Sequence, residues 1–218
     1  MRTLLPGAAR CSTADHLRAL AVDGVRAMKK ICFGLQLLAL FLLLGLLVAA
    51  RAEPGAQVDA LHAVLIKAMK HGGTAAERTA LVEATVGGSF DFETIARVSV
   101  GRDWQKIGAD GQKRLTELLR QLSLATYADR FDSFEGQAFV QDGVVTGKSG
   151  TVVKTHILRS NGEKVSLYYY FRNGRIFNVV ADGVSDLALR RADYGSILRR
   201  EGFPALLTHI ERNIDELR

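Results

Sequence analysis

The sequence predicts an α+β single domain, with helices packed on a small curved antiparallel sheet. Three observations carry this reading. Apolar residues recur at three and four from Val58 to about Phe134. The period drops to two from Ala138 to Ala181, with turn signals between the runs. A helical period then returns after Asp186. No internal repeat, low-complexity tract or linker interrupts the stretch from Glu53 to Arg218.

The elements follow in order. Val58, Leu61, Val64, Leu65 and Ala68 form the stripe of a first helix, stopped by His71-Gly72-Gly73. Thr74-Ala75-Ala76-Glu77 has the spacing of a capping box and opens a second. Leu81, Val82 and Val86 lie on one face of that helix, and Gly87-Gly88 is expected to break it. Phe92, Ile95, Ala96 and Ser99 mark a third helix, ended by Gly101. Asp110 is expected to cap a longer one striped by Leu115, Leu118, Leu119, Leu122 and Ala125. Phe139 to Val145 is the weakest strand, because Asp142-Gly143 lies inside it. Ser149 to Leu158 and Lys164 to Arg172 flank Ser160-Asn161-Gly162, a strong hairpin signal. Arg172-Asn173-Gly174-Arg175 is a second hairpin, leading into Ile176 to Ala181, so three or four strands form a meander. Asp186 is expected to cap Leu187 to Arg200. Gly202 breaks that helix, and Phe203, Leu206, Leu207, Ile210, Ile214 and Leu217 line the last one.

Residues 28 to 52 read as an export signal. Met28, Lys29 and Lys30 supply a start and a positive patch, Ile31 to Ala50 an apolar run, and Ala50-Arg51-Ala52 the small residues of a cleavage site. Residues 1–52 are therefore expected to be an N-terminal extension and cleaved signal peptide, with the true start at Met28, which directs the domain at 53–218 to the periplasm. Cys32 opens the apolar run, where a lipidated cysteine would close it. The full chain carries a formal charge of +6. From Glu53 onward, 22 basic side chains face 21 acidic ones, so net charge gives no reason to expect a nucleic-acid partner. Both cysteines, Cys11 and Cys32, precede Glu53, which excludes a cysteine nucleophile or cysteine-bound zinc in the domain.

No catalytic constellation is visible, and no cofactor or metal is expected. His62, His71, His156 and His209 include no pair at i,i+4 and no HExxH pattern. Gly147-Lys148-Ser149 lacks the first glycine of a phosphate loop and precedes a strand, so it reads as a β-turn. No serine sits in Gly-x-Ser-x-Gly. Arg190-Arg191 and Arg199-Arg200 share one helix, either as a solvated face or as a basic ridge toward phosphate groups or an acidic partner. In Val165 to Arg172 one strand face carries Val165, Leu167, Tyr169 and Phe171, and the other still carries Tyr168 and Tyr170. A solid core and a lined cavity both satisfy that pattern.

Two stretches carry a family resemblance. Phe90-Asp91-Phe92, Ile95-Ala96, Val100-Gly101-Arg102 and Trp104 are similar to the signature of the MlaC phospholipid-binding family, also called the toluene-tolerance family. Phe177-Asn178-Val179-Val180, Asp182-Gly183-Val184-Ser185, Arg191, Tyr194, Ile197-Leu198-Arg199 and Gly202 resemble its last strand and closing helices, and Thr126-Tyr127-Ala128 also fits. Asn178 stands where an acidic residue is expected. The run Leu187 to Arg191 is closer to the HpnM branch, associated with hopanoid lipids. The resemblance implies a fold like that of nuclear transport factors, with a lipid-sized cavity. It also implies a monomeric, non-enzymatic periplasmic carrier of phospholipid, or of hopanoid, between an outer-membrane lipoprotein complex and an inner-membrane ABC permease complex. Candidate pocket residues are Phe92, Ile95, Val100, Trp104, Leu118, Leu122, Val153, Leu167, Tyr169 and Val180, with Arg102 and Arg191 toward the head group or rim. Plain core packing competes with ligand contact at each.

Overall fold

In the computed structural model, residues 53–218 are described; the export signal, Met28 and both cysteines lie outside the described residues. Helical spacing becomes six α-helices: α1 Pro54–His71, α2 Ala75–Ser89, α3 Phe92–Val100, α4 Ala109–Arg130, α5 Asp186–Arg200 and α6 Phe203–Glu216. A 3-10 turn, Gly101–Gln105, joins α3 to the segment before α4. The period-two region becomes β1 Ala138–Gly147, β2 Gly150–Leu158, β3 Lys164–Arg172 and β4 Arg175–Ala181. A two-residue strand that sequence pattern missed, β5 Val184–Ser185, completes it. All neighbours are antiparallel and the spatial order equals the chain order. This is the expected α+β domain of helices on one antiparallel sheet.

The helix ends show where local chemistry decided and where packing did. The capping box forms: Glu77 N–H donates to Thr74 Oγ1 at 3.3 Å, and Thr74 N–H donates to Glu77 Oε2 at 2.8 Å. Gly87-Gly88, in contrast, does not break α2, although each glycine costs a helix interior about 1 kcal/mol relative to alanine. The helix ends one residue later, at Ser89, beside a tertiary anchor. Phe90 leaves helical geometry to bridge Ile176, and Asp91 N–H donates to the Ile176 carbonyl at 2.8 Å. Asp91 then caps α3 through Oδ1, which accepts from Thr94 N–H at 3.0 Å. Gly101, at φ 60°, ends α3 as expected. Two caps differ from expectation. Gly108 holds the N-cap of α4, leaving Asp110 in the first turn, where its charge suits the helix dipole. Ser185 caps α5 in place of Asp186, because its Oγ reaches Ala188 N–H at 3.1 Å.

Asn173 and Gly174, at φ 51° and 69°, both take the left-handed conformation that a two-residue hairpin turn demands. Two bulges interrupt the sheet. One falls between Gln141 and Gly143 in β1, which explains why this strand is the weakest by pattern. The other adds one residue to β4 opposite Tyr170 and Phe171, and it moves every later β4 residue one place along β3.

The core is formed by Val58, Leu61 and Leu65 of α1, Leu115, Leu118 and Leu119 of α4, Leu206 and Ile210 of α6, and Val153, Tyr169, Phe171 and Ile176 of the sheet. One charged side chain is buried with them. Arg78 of α2 donates from Nε to the Ala128 carbonyl at 2.7 Å and from Nη1 to the Gly73 carbonyl at 2.6 Å. It thereby pins the last turn of α4 to the loop between α1 and α2. Arg78→Ala leaves the buried Ala128 carbonyl short of a donor, and the expected loss is about 1–3 kcal/mol of unfolding free energy. A urea titration with an unchanged slope measures it.

Candidate functional site: an apolar cavity between the sheet and α4

A cavity of about 440 Å³ opens between β3, β4, the C-terminal half of α4 and the β5–α5 junction. Its size lies within the range of about 300–1,000 Å³ seen for ligand pockets. Leu167 and Tyr169 come from β3, and Phe177, Val179 and Ala181 from β4. Phe90 and Ile95 close one end. Val184 and Leu189, among the most exposed large apolar side chains at 52% and 59%, stand at the opening.

Helix α4 carries two stripes, one residue out of phase. Leu115, Leu118, Leu119 and Leu122 pack into the core. Ser123, Thr126, Tyr127, Arg130 and Phe131 line the cavity, at the i, i+3, i+4, i+7, i+8 spacing of one helix face. Aromatic rings hold that face in place. Tyr127 stacks on Phe131 at 5.9 Å and meets Phe90 at 5.9 Å, and Phe131 meets Phe139 at 6.0 Å. Phe139 stacks on His62 of α1 at 4.0 Å, and His62 Nε2 shares a buried 3.0 Å hydrogen bond with the Tyr169 hydroxyl. The rings thus form a chain from the α2–α3 junction through the cavity to α1 and back to the central strand.

Polar groups gather at the α4–α5 end. Arg190 Nε donates to Asp186 Oδ2 at 2.7 Å, and Nη1 donates to the Tyr194 hydroxyl at 3.5 Å. Burial pulls the Arg190 pKa down, but Asp186 and Tyr194 more than offset it, so the guanidinium stays charged. Burial raises the Tyr127 phenol well above its ordinary range and keeps it protonated; Asp186, Arg190 and Arg130 are the charges that act on it. Asn178 Oδ1 accepts from Ser185 Oγ–H at 3.0 Å and from Leu187 N–H at 3.2 Å, which ties β4 to the start of α5. Asn178, in the place where an acid was expected, therefore has a structural task at the cavity margin.

Among the residues selected from sequence, Ile95, Leu167 and Tyr169 line the cavity. Phe92, Val100, Trp104, Leu118, Leu122 and Val153 are buried in the core outside its lining. Val180 pairs with Tyr168 and Ser185, while Val179 is the partner of Tyr169. A regular two-residue hairpin would set Val180 opposite Leu167; the bulge puts Ala181 there instead. Neither chosen arginine lines the cavity. Arg191 Nη1 donates to the Val98 carbonyl at 3.0 Å and its guanidinium lies against Gly101, while Arg102 is exposed on the 3-10 turn. The arginines that line the cavity are Arg130 and Arg190. They lie three and four residues from Tyr127 and Asp186 on their helices, on the face of α4 next to the leucine stripe in the first case.

The MlaC protein family model matches residues 56–212. This chain belongs to the MlaC family. The match spans the whole sheet and all six helices, short of the first two residues of α1 and the last four of α6. A solved structure of a phospholipid-binding protein from Ralstonia solanacearum, in complex with a phospholipid, shares the fold at a TM-score of 0.66 and 18% identity. That alignment covers 76% of this chain and 99% of the other. Comparison with curated proteins gives no match.

His62 links the site to pH. Burial lowers its pKa from 6.5 to about 4. The unfolded chain therefore takes up a proton as pH falls through 6.5, and the folded chain does not until about 4. Stability present above pH 6.5 is lost progressively across that window, by about 3 kcal/mol at most. Urea midpoints measured from pH 7 to pH 4 should fall for the wild type and fall less for His62→Phe.

Proposed function

We propose that this protein is a carrier that holds the hydrocarbon chains of a phospholipid in the cavity and takes the lipid through water between membranes. The observation that carries the reading is an apolar cavity, bounded by leucine, valine and phenylalanine side chains, which opens to solvent past the exposed Val184 and Leu189. Membership of the MlaC family and the fold shared with a phospholipid-bound neighbour support it.

The physical need is plain. Each methylene withdrawn from a bilayer into water costs about 0.8 kcal/mol, so a bare lipid does not cross an aqueous gap at a useful rate. A carrier must offset most of that cost, yet hold the lipid no more tightly than the acceptor does. An open cavity meets both demands: its walls replace the bilayer contacts, and its mouth leaves an exit. The periplasm is the proposed compartment, a reading supported by the export signal read at residues 28 to 52, and the proposed partners are an outer-membrane lipoprotein complex and an inner-membrane ABC permease complex. ATP hydrolysis would belong to the permease.

Two measurements test the reading. Protein purified under native conditions and extracted with organic solvent should yield stoichiometric phospholipid by mass spectrometry; a polycyclic lipid would change the cargo, and an empty protein that takes nothing from vesicles would overturn the carrier. Val179→Trp projects a large ring into the cavity from a half-buried position. Lipid uptake should fall at least about tenfold, while the unfolding free energy escapes the roughly 1–3 kcal/mol penalty of overpacking a filled core.

A further inference from the structure

The cavity has one polar corner, and two of its groups are uncommitted. Tyr127 and Arg130 stand three residues apart on the last turns of α4 and both line the cavity. Among the described residues, the Tyr127 hydroxyl has no hydrogen-bond partner, while its ring packs against Phe90 and Phe131. Arg130 has no carboxylate within ion-pair distance among the described residues, whereas its neighbour Arg190 is held by Asp186 at 2.7 Å. The lining therefore contains two guanidinium groups and one carboxylate, an excess of one positive charge beside apolar walls. A phenolic donor and a guanidinium without protein partners, on one helix face at the edge of an apolar cavity, are free to take an anionic ligand.

We propose that the Arg130 guanidinium and the Tyr127 hydroxyl form an anion site that takes the phosphate of the lipid whose chains occupy the cavity. This rests on the carrier reading above. A phosphodiester carries a single negative charge and several acceptor oxygens, which suits the planar donor fork of arginine and a phenolic O–H. The high pKa of Tyr127 keeps it a donor at all relevant pH values. The lipid then lies with its tails against Leu167 and Val179 and its phosphate at the end of α4. Selection follows from the same chemistry. A neutral lipid of equal chain content, such as a diacylglycerol or a hopanoid alcohol, fills the apolar part but gains no charge-assisted hydrogen bond from the arginine, so the phosphodiester is favoured.

The test uses purified, lipid-stripped protein and two probes with the same fluorescent acyl chain, a phosphatidylglycerol and a diacylglycerol. Wild type should prefer the phosphatidylglycerol. Arg130→Gln and Tyr127→Phe should each weaken phosphatidylglycerol about tenfold and change diacylglycerol by less than about twofold. Arg130→Lys should recover part of the loss, and Arg159→Gln, on the distant hairpin, should change nothing. Arg130 is exposed, so its variants are expected to fold, and circular dichroism checks this. Equal affinity of wild type for both probes, or equal loss of both in Arg130→Gln, overturns the anion site and leaves the carrier standing. Failure of wild type to bind either probe overturns both. Displacement of phosphatidylglycerol by inorganic phosphate would assign the site to the free ion and overturn its assignment to the lipid.

Discussion

The hydrogen bond between His62 and Tyr169 is the contact on which the site depends. It joins the first helix to the central strand across 107 residues of chain, and it is buried. Tyr169 is 1% exposed, so its hydroxyl has no recourse to water and must find a partner inside. His62 satisfies it, and in doing so fixes the plane on which Phe139 stacks. Through Phe131 and Tyr127 that order reaches the wall of the cavity. Rings of this size have few rotamers, so the frame resists collapse into the space beside it.

Such resistance is needed because empty apolar space is expensive. A sealed void of 440 Å³ in a core, charged at about 24 cal/mol per Å³ of residual cavity, would cost on the order of 10 kcal/mol, as much as the whole stability of a typical domain. The cavity is open at Val184 and Leu189, and its walls come from β3, β4, the end of α4 and the start of α5. The protein avoids the cost of a sealed void by never closing it, and a hydrocarbon ligand would then add stability by filling it.

Most of the secondary structure was visible in the residues. Period three-four and period two separate helices from strands because side-chain direction is a local property of each backbone. Thr74 and Glu77, Asp91, Asn173-Gly174 and Gly101 acted locally and behaved as their chemistry requires. Gly87-Gly88 did not, because the bridge from Phe90 to Ile176 outweighs the weak helix propensity of two glycines. The site was harder to see. Leu118 and Leu122 look like the greasiest candidates, yet they are consumed by helix packing. The face that remains for a ligand is the mixed one, with Ser123, Thr126 and Arg130 between Tyr127 and Phe131.

By itself the sequence determined the fold class, the element order, the family signature and the apolar character of the domain, all of which follow from spacing and side-chain type. Tertiary structure alone decided which apolar side chains pack against protein and which face open space. One inserted residue in β4 exchanges Val180 for Val179 at the cavity, and the partners of α4 decide which of its two stripes is buried. Hydrophobicity has no direction. Whether a side chain meets a neighbour or a void depends on segments distant in the chain, and only their docking settles it.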